Sequence, residues 1–286
     1  MEKVSICICT RNRPIDLKNA IYSIFQSTYR NFEVIVSDDS TNDETKKMIE
    51  KEFSEVKYVK GPRKGLCFNR NNALKIVTGS RVLFMDDDVK MSKDFLKIVN
   101  KVLLSYLNAS NIIITGIERN KGTLVLPNNV NFLGHQAIPY NGKEELKTIV
   151  INSTLFPASL FEFLKFDEQL VYGYDEVDIA TRAKSLGYKI ILCEEAINDH
   201  YPSSVNREFY RSFKEASRIY VTYKKYYYVE NKKLKSGIYL FYSLFHTLAF
   251  EIKENKISGF KRALITYKYA INYIILNNRS SSIAEK

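Results

Sequence analysis

A chain of 286 residues with 45% apolar content is long enough to bury one large α/β core and need not be several independent domains. Residues 1–201 carry 27 basic and 26 acidic side chains, whereas residues 202–286 carry 16 and 6 together with 17 of the 37 Tyr and Phe, so a near-neutral front is joined to a basic, aromatic tail. The four cysteines, Cys7, Cys9, Cys67 and Cys193, are scattered without a CxxC pair, no signal-peptide pattern follows Met1, and the longest apolar run (238–250, with His246 inside it) falls short of the ~20 residues of a spanning helix, which argues against disulfide-rich, secreted and transmembrane classes and for a reduced, cytoplasmic setting.

Short β-rich runs alternate with amphipathic stretches over the first ~115 residues, the rhythm of βαβ units around a mainly parallel sheet. Strands are predicted at 4–9, 32–37, 56–59, 81–85 and 111–115, and helices at 14–27, 43–53, 68–77 and 93–106. Pro14 suits a first helical turn, where its missing N–H would be unpaired anyway. Residues 117–150, punctuated by Gly and Pro, read as a long loop with weak strands; long ordered loops of this kind are often functional. A strand at 148–156, a helix at about 175–186 capped by Gly187, and a strand at 188–193 follow. From Asn206 the pattern is helical, with Tyr, Phe and Leu interleaved with Lys and Arg, and residues 277–286 form a polar end.

Chemistry concentrates where strands end. Asp86, Asp87 and Asp88 directly follow the apolar run of Val82, Leu83 and Phe84, at the strand end where open α/β sheets bind ligands. Three adjacent carboxylates repel one another unless solvated or held by a cation, and hard oxygen ligands suit Mg²⁺ or Mn²⁺. Asp38 and Asp39 lie at the mouth of the 32–37 strand, where a carboxylate can accept a hydrogen bond from a nucleobase N–H, while Asn42 and Asp43 suit a turn or helix cap. Asp175, Glu176 and Asp178 open a helix; the macrodipole and an i,i+4 pair with Arg182 account for some of them and leave at least one carboxylate for proton transfer.

In this order the segments resemble glycosyltransferase family 2, inverting enzymes of the GT-A fold. VSICICTRNRP (residues 4–14) resembles the family's opening strand and nucleotide-contacting loop, and VSDDSTND (36–43) its DDGSTD segment, with Ser40 where Gly is usual. GLCFNRNNALKIVTGSRVLFMDDD (65–88) resembles the stretch from the Arg-Asn pair to the DxD motif, with Thr78 in place of Ala. FDEQLVYGYDEVDIATRAKSLGYKI (166–190) resembles the acceptor-side block. The resemblance covers about residues 3–201 and implies a GT-A catalytic domain over 1–201, a nucleotide-diphospho-sugar transferase fold with a Rossmann-like, mainly parallel sheet, and a helical, basic-aromatic extension over 202–286.

By position it implies that Thr10, Arg11 and Asp38, with Asp39 as a second acid, touch the base and ribose, and that Arg70 lies beside the donor phosphates. Asp86 and Asp87 would stand on the donor side, Asp88 with Asp86 would ligate Mn²⁺ or Mg²⁺, and His200 would join them near the diphosphate. The family's usual Glu-Asp pair is reversed as Asp175-Glu176. Alignment to Gly187 puts Glu176 in the place of the base, with Asp175 holding the acceptor or capping the helix. The implied activity is inverting, metal-dependent transfer from a nucleotide-diphosphate sugar, a UDP-sugar being the commonest donor, to a glycan or lipid-linked acceptor. The alternatives are a nucleotidyltransferase, for which CTRNRP lacks the expected glycines, and a non-catalytic nucleotide-sugar-binding protein. The tail shows no nucleic-acid recognition motif and none is expected as a partner. Its charge, with Tyr226, Tyr227 and Tyr228 flanked by Lys224, Lys225, Lys232 and Lys233, suits peripheral contact with an anionic membrane surface at the cytoplasmic face. Packing on the catalytic core is the competing role for that segment.

Overall fold

The structure, a computed structural model, describes residues 2–202 and 207–284. The predicted helix start at Asn206 and the last two residues of the polar end lie outside the described residues. In chain order the elements are β1 (Val4–Thr10), α1 (Pro14–Phe25), β2 (Phe32–Asp38), α2 (Glu44–Glu52), β3 (Lys57–Lys60), α3 (Leu66–Leu74), β4 (Arg81–Asp86), β5 (Val89–Lys90), α4 (Phe95–Leu104), β6 (Ile112–Asn120) and β7 (Thr123–Val125). A 3-10 turn (Ile151–Ser153) leads into β8 (Thr154–Pro157), followed by α5 (Leu160–Phe163), α6 (Asp175–Ser185), β9 (Lys189–His200), α7 (Arg207–Lys224) and α8 (Lys233–Ala284).

The strands form one sheet in the order β3-β2-β1-β4-β8-β6-β9-β5, with β7 hung on β6. The βαβ rhythm gives the parallel run β3-β2-β1-β4, and β6 and β9 are parallel as well. Between these blocks β8 runs antiparallel to both neighbours. Both faces are covered, so alternate residues of a strand enter different cores. Ile6, Ile8, Leu83, Met85, Ile112 and Ile114 face the layer of α1, α2 and α4. Cys7, Val82, Phe84 and Ile113 face the other layer, where Phe84 meets Phe156, Phe161 and Phe166 edge-on at 4.9 to 6.2 Å. All four cysteines are buried and free.

Two stretches differ from the sequence reading for a local reason. The expected strand at 148–156 pairs only from Thr154. Ahead of it side-chain hydroxyls take the backbone's place: Val150 N donates to Thr115 Oγ1 at 3.0 Å, and Thr154 Oγ1 donates to Val150 O at 2.6 Å. The long loop expected from residue 117 begins later, because β6 and β9 resume pairing beyond a bulge at Thr115/Ile117 and run on to Asn120 and His200.

The C-terminal helices are part of the same body. Tyr220, Tyr239 and Tyr273 belong to one apolar cluster with Phe84 and Phe156. α8 is broken at Lys256, whose φ is 51°, and its halves fold back on each other. The crossing is close: a Cβ on Gly259 would lie 1.9 Å from Glu251 O.

Part of the basic, aromatic segment expected to meet a membrane is occupied internally. Tyr226 is buried and donates to Phe132 O at 3.0 Å. Lys224 reaches under α6, where Nζ lies 2.6 Å from Asp167 Oδ2 and 2.9 Å from Asp178 Oδ1, and Arg182 grips the other oxygen of Asp178. Burial works to raise the Asp178 carboxyl, but Lys224 and Arg182 outweigh it and hold the group below the usual carboxylate range. The stability it lends is therefore present above the ordinary carboxylate value of ~4 and is lost as pH falls through the lower folded one. Lys224→Met, which leaves buried carboxylates short of a partner, should cost about 3 kcal/mol in urea unfolding. An unchanged midpoint would show that the network does not anchor α6.

Candidate active site

Parallel pairing aligns the carboxyl ends of β1, β2 and β4: Thr10 stands opposite Asp38, and Cys9 opposite Asp86. The acidic run that ends β4 is divided by direction. Asp87 turns inward, accepts from Thr10 Oγ1 at 2.7 Å, pairs with Arg13 Nη1 at 2.7 Å, and is pushed up to about 7 by burial. Asp86 and Asp88 point the other way. Asp86 is the more open; its N–H donates to Asn152 Oδ1 at 2.9 Å, and its Oδ1 faces Arg70 Nη2 at 3.3 Å. Asp88 meets Arg13 Nη1 at 3.1 Å and His200 Nε2 at 3.2 Å.

His200 ends β9, beside Val89 of β5. Its Nδ1 is engaged by Glu118 Oε1, which leaves Nε2 aimed at Asp88. Burial works to lower the ring, yet Asp88 and Glu118 bring it up to about 10. Asn152 holds this corner together, its Nδ2 donating to Asp86 Oδ2 at 3.3 Å and to Glu118 Oε2 at 3.1 Å. One ligand atom from each of Asp86, Asp88 and His200 falls within 4.8 Å of the others, the one such group among the described residues. Two carboxylates and an imidazole whose far nitrogen is fixed by a third carboxylate make a donor set that fits a divalent cation, the nitrogen suiting Mn²⁺ better than Mg²⁺.

Opposite this corner, Arg70 of α3 is buried and bridges β4 to α6, with Nη2 on Asp86 and Nη1 on Asp175. The helix that carries Asp175 starts from a strained residue, Tyr174 at φ 64°, held by its buried side chain. That turn commits Asp175 inward to Arg70 and leaves Glu176 partly exposed, accepting from Gln136 Nε2 at 2.9 Å. Burial raises the Glu176 carboxyl against the pull of its own backbone N–H and Gln136. Gln136 comes from a loop seated on the C-terminal helices: Arg218 donates to Leu133 O, and Gly134, at φ 84°, sits so near Thr222 that a Cβ would be 2.0 Å from its Oγ1.

The residues singled out in the sequence thus fall into two groups. Asp86, Asp88 and His200 converge, Arg70 links Asp86 to Asp175, and Glu176 follows Asp175 in α6. Thr10 and Asp87 bond each other behind this set. Asp38 is buried, with Ser40 N at 2.9 Å and Tyr58 OH at 3.1 Å on its two oxygens. Asp39 accepts from Arg63 N at 2.8 Å and is raised by burial, and Arg11 is exposed nearby. Arg13, Glu118, Asn152 and Gln136 take their places in the site only through the fold. Arg13 belongs to the 4–14 motif, whereas the other three lie in loop or plain strand sequence and carry no local signal.

Residues 5–157 match the family described as Glycosyl transferase family 2. Among curated relatives, a GalNAc(5)-diNAcBac-PP-undecaprenol beta-1,3-glucosyltransferase of Campylobacter jejuni is 37% identical over 93 residues, 31% of this chain and 30% of that protein. A UDP-Glc:alpha-D-GlcNAc-diphosphoundecaprenol beta-1,3-glucosyltransferase of Escherichia coli is 35% identical over 129 residues, 41% of this chain and 51% of that protein. The chain thus matches about half or less of the length of these relatives. The fold is shared with a mannosyltransferase of Pyrobaculum calidifontis solved with GDP-Man and Mn²⁺, at a TM-score of 0.59 and 14% identity, covering 100% of this chain and 81% of that one.

Proposed function

The chain belongs to glycosyl transferase family 2, and from that premise we propose that it transfers a sugar from a UDP-sugar to a lipid-linked acceptor with inversion, using Mn²⁺ or Mg²⁺. The observation that carries this reading is the convergence of Asp86, Asp88 and His200 within 4.8 Å, across Arg70 from the first turn of α6. The name of the Escherichia coli relative supports a UDP-sugar donor, and the names of both relatives support a lipid-linked acceptor.

Asp88, Asp86 and His200 would hold the cation, which when bound neutralises charge on the departing diphosphate. Arg70, fixed between Asp86 and Asp175, adds a permanent positive charge beside it. Glu176, oriented by Gln136 and raised by burial, takes the proton from the acceptor hydroxyl as that oxygen bonds to the anomeric carbon. The bond from the anomeric carbon to the diphosphate oxygen breaks on the opposite face, so one displacement inverts the centre. The alternative base, Asp175, is committed to Arg70.

Titration calorimetry with UDP-, GDP- and dTDP-sugars, with Mn²⁺ and with chelator, tests the donor side. Binding of a UDP-sugar is expected only with the cation, since two of the site's carboxylates would otherwise face a diphosphate. Equal affinity in chelator would overturn the metal assignment. An anomeric product of unchanged configuration would overturn the single displacement.

A further inference from the structure

α8 carries large apolar side chains on two opposite sides. The side of its first half that packs inward is Ser236, Tyr239, Ser243, Thr247 and Glu251, all buried, with Glu251 Oε1 3.2 Å from Arg211 Nη2. The side that faces outward is apolar: Leu234 is 81% exposed, Ile238 56%, Phe241 67%, Phe245 55% and Ile252 46%. Their spacing of three, four or seven residues puts them in one stripe running about five turns. The second half repeats the arrangement, with Gly259, Ala263, Thr266, Ala270 and Tyr273 inward and Ile257, Phe260 and Leu264 outward. A water-facing helix carries its apolar stripe toward the core, and monomers rarely leave apolar patches beyond a few hundred Å² uncovered.

We propose that this outward face of α8 lies in the headgroup zone of an anionic lipid bilayer. Charge selects that occupant: Lys253, Lys256, Lys261 and Lys268 are exposed along the same hairpin, and from residue 233 to 277 seven basic side chains stand against two acidic ones. No helix among the described residues is long and apolar enough to cross a membrane, which fits a helix lying in the interface. The face also adjoins the site. Tyr242, 57% exposed beside the stripe, packs on Phe132 at 6.2 Å, and Phe132 belongs to the loop that brings Gln136 to Glu176. Docking there sets the acceptor side of α6 toward the bilayer; this purpose rests on the lipid-linked reading above, whereas the surface itself rests on α8.

Co-sedimentation of the full chain with phosphatidylcholine vesicles containing about one third phosphatidylglycerol is the test, against phosphatidylcholine alone. The chain is expected to pellet with the anionic vesicles and to bind the neutral ones more weakly. Phe241→Glu with Phe245→Glu, both at exposed positions, should weaken binding about tenfold or more. A wild-type chain left in the supernatant at low salt overturns the proposal, as does a double variant that binds equally well. A wild-type dimer in light scattering that the double variant converts to monomer, without vesicle binding, assigns the face to a second copy and also overturns it. UDP-sugar binding of the double variant should match wild type; its loss in both proteins would count against the proposed function and leave the vesicle result standing.

Discussion

Asp88→Asn is expected to bring donor-dependent turnover below detection, a loss beyond about 10³-fold, while the chain stays folded. Asp88 is the carboxylate that faces both His200 Nε2 at 3.2 Å and Arg13 Nη1 at 3.1 Å. An amide there keeps size and shape but removes the negative charge that a cation needs. Because Arg13 keeps its 2.7 Å contact with Asp87, the loop after β1 retains an anchor and unfolding should be little changed. Two measurements separate the roles: Mn²⁺ affinity by calorimetry should collapse together with turnover. Unchanged activity with Mn²⁺ present would remove Asp88 from the site, and lost activity with intact Mn²⁺ binding would move the metal elsewhere.

Glu176→Gln is expected to lower kcat by about 10²–10⁴-fold with donor affinity nearly unchanged, the usual cost of losing a general base. The side chain is partly exposed, its carboxyl is raised by burial, and Gln136 Nε2 donates to it at 2.9 Å. Asp175 offers the contrast, because its carboxylate faces Arg70 in a buried pair. Asp175→Asn should loosen Arg70 and so raise the KM for donor or acceptor more than it lowers kcat. If the aspartate variant loses the rate and the glutamine variant does not, the base is Asp175. A further check is the pH profile: the fall in activity on the acidic side, where a raised carboxyl takes up its proton and can no longer act as base, should disappear in Glu176→Gln if Glu176 carries the proton.

Sequence by itself determined the apolar strands of the first half, the helices between them, and the placing of acids at strand ends. Those follow from local patterning, since a strand buried on both faces must read as Ile, Val, Leu and Phe whatever its neighbours are. Ordered motifs also point to Asp86, Asp88, His200 and Arg70, and the fold brings these four together, with Arg70 reaching on to Asp175 beside Glu176. Only the tertiary structure decided which acid faces which way. Asp87 is as acidic as its neighbours, yet Thr10 and Arg13 hold it inward. Glu118 and Asn152 gain their meaning from strands β6 and β8 closing beside β4 and β9, a pairing between residues 34 to 82 apart that no local period records. The tail shows the same limit. Lys224 reads as a surface charge but is drawn under α6 by two carboxylates from elsewhere in the chain. In α8 the sequence gives a stripe, and only packing decides whether that stripe faces in or out. Tyr239 and Tyr273, with the small Gly259, Ala263 and Ser243, take the inward side, so the stripe from Leu234 to Ile252 is left facing outward.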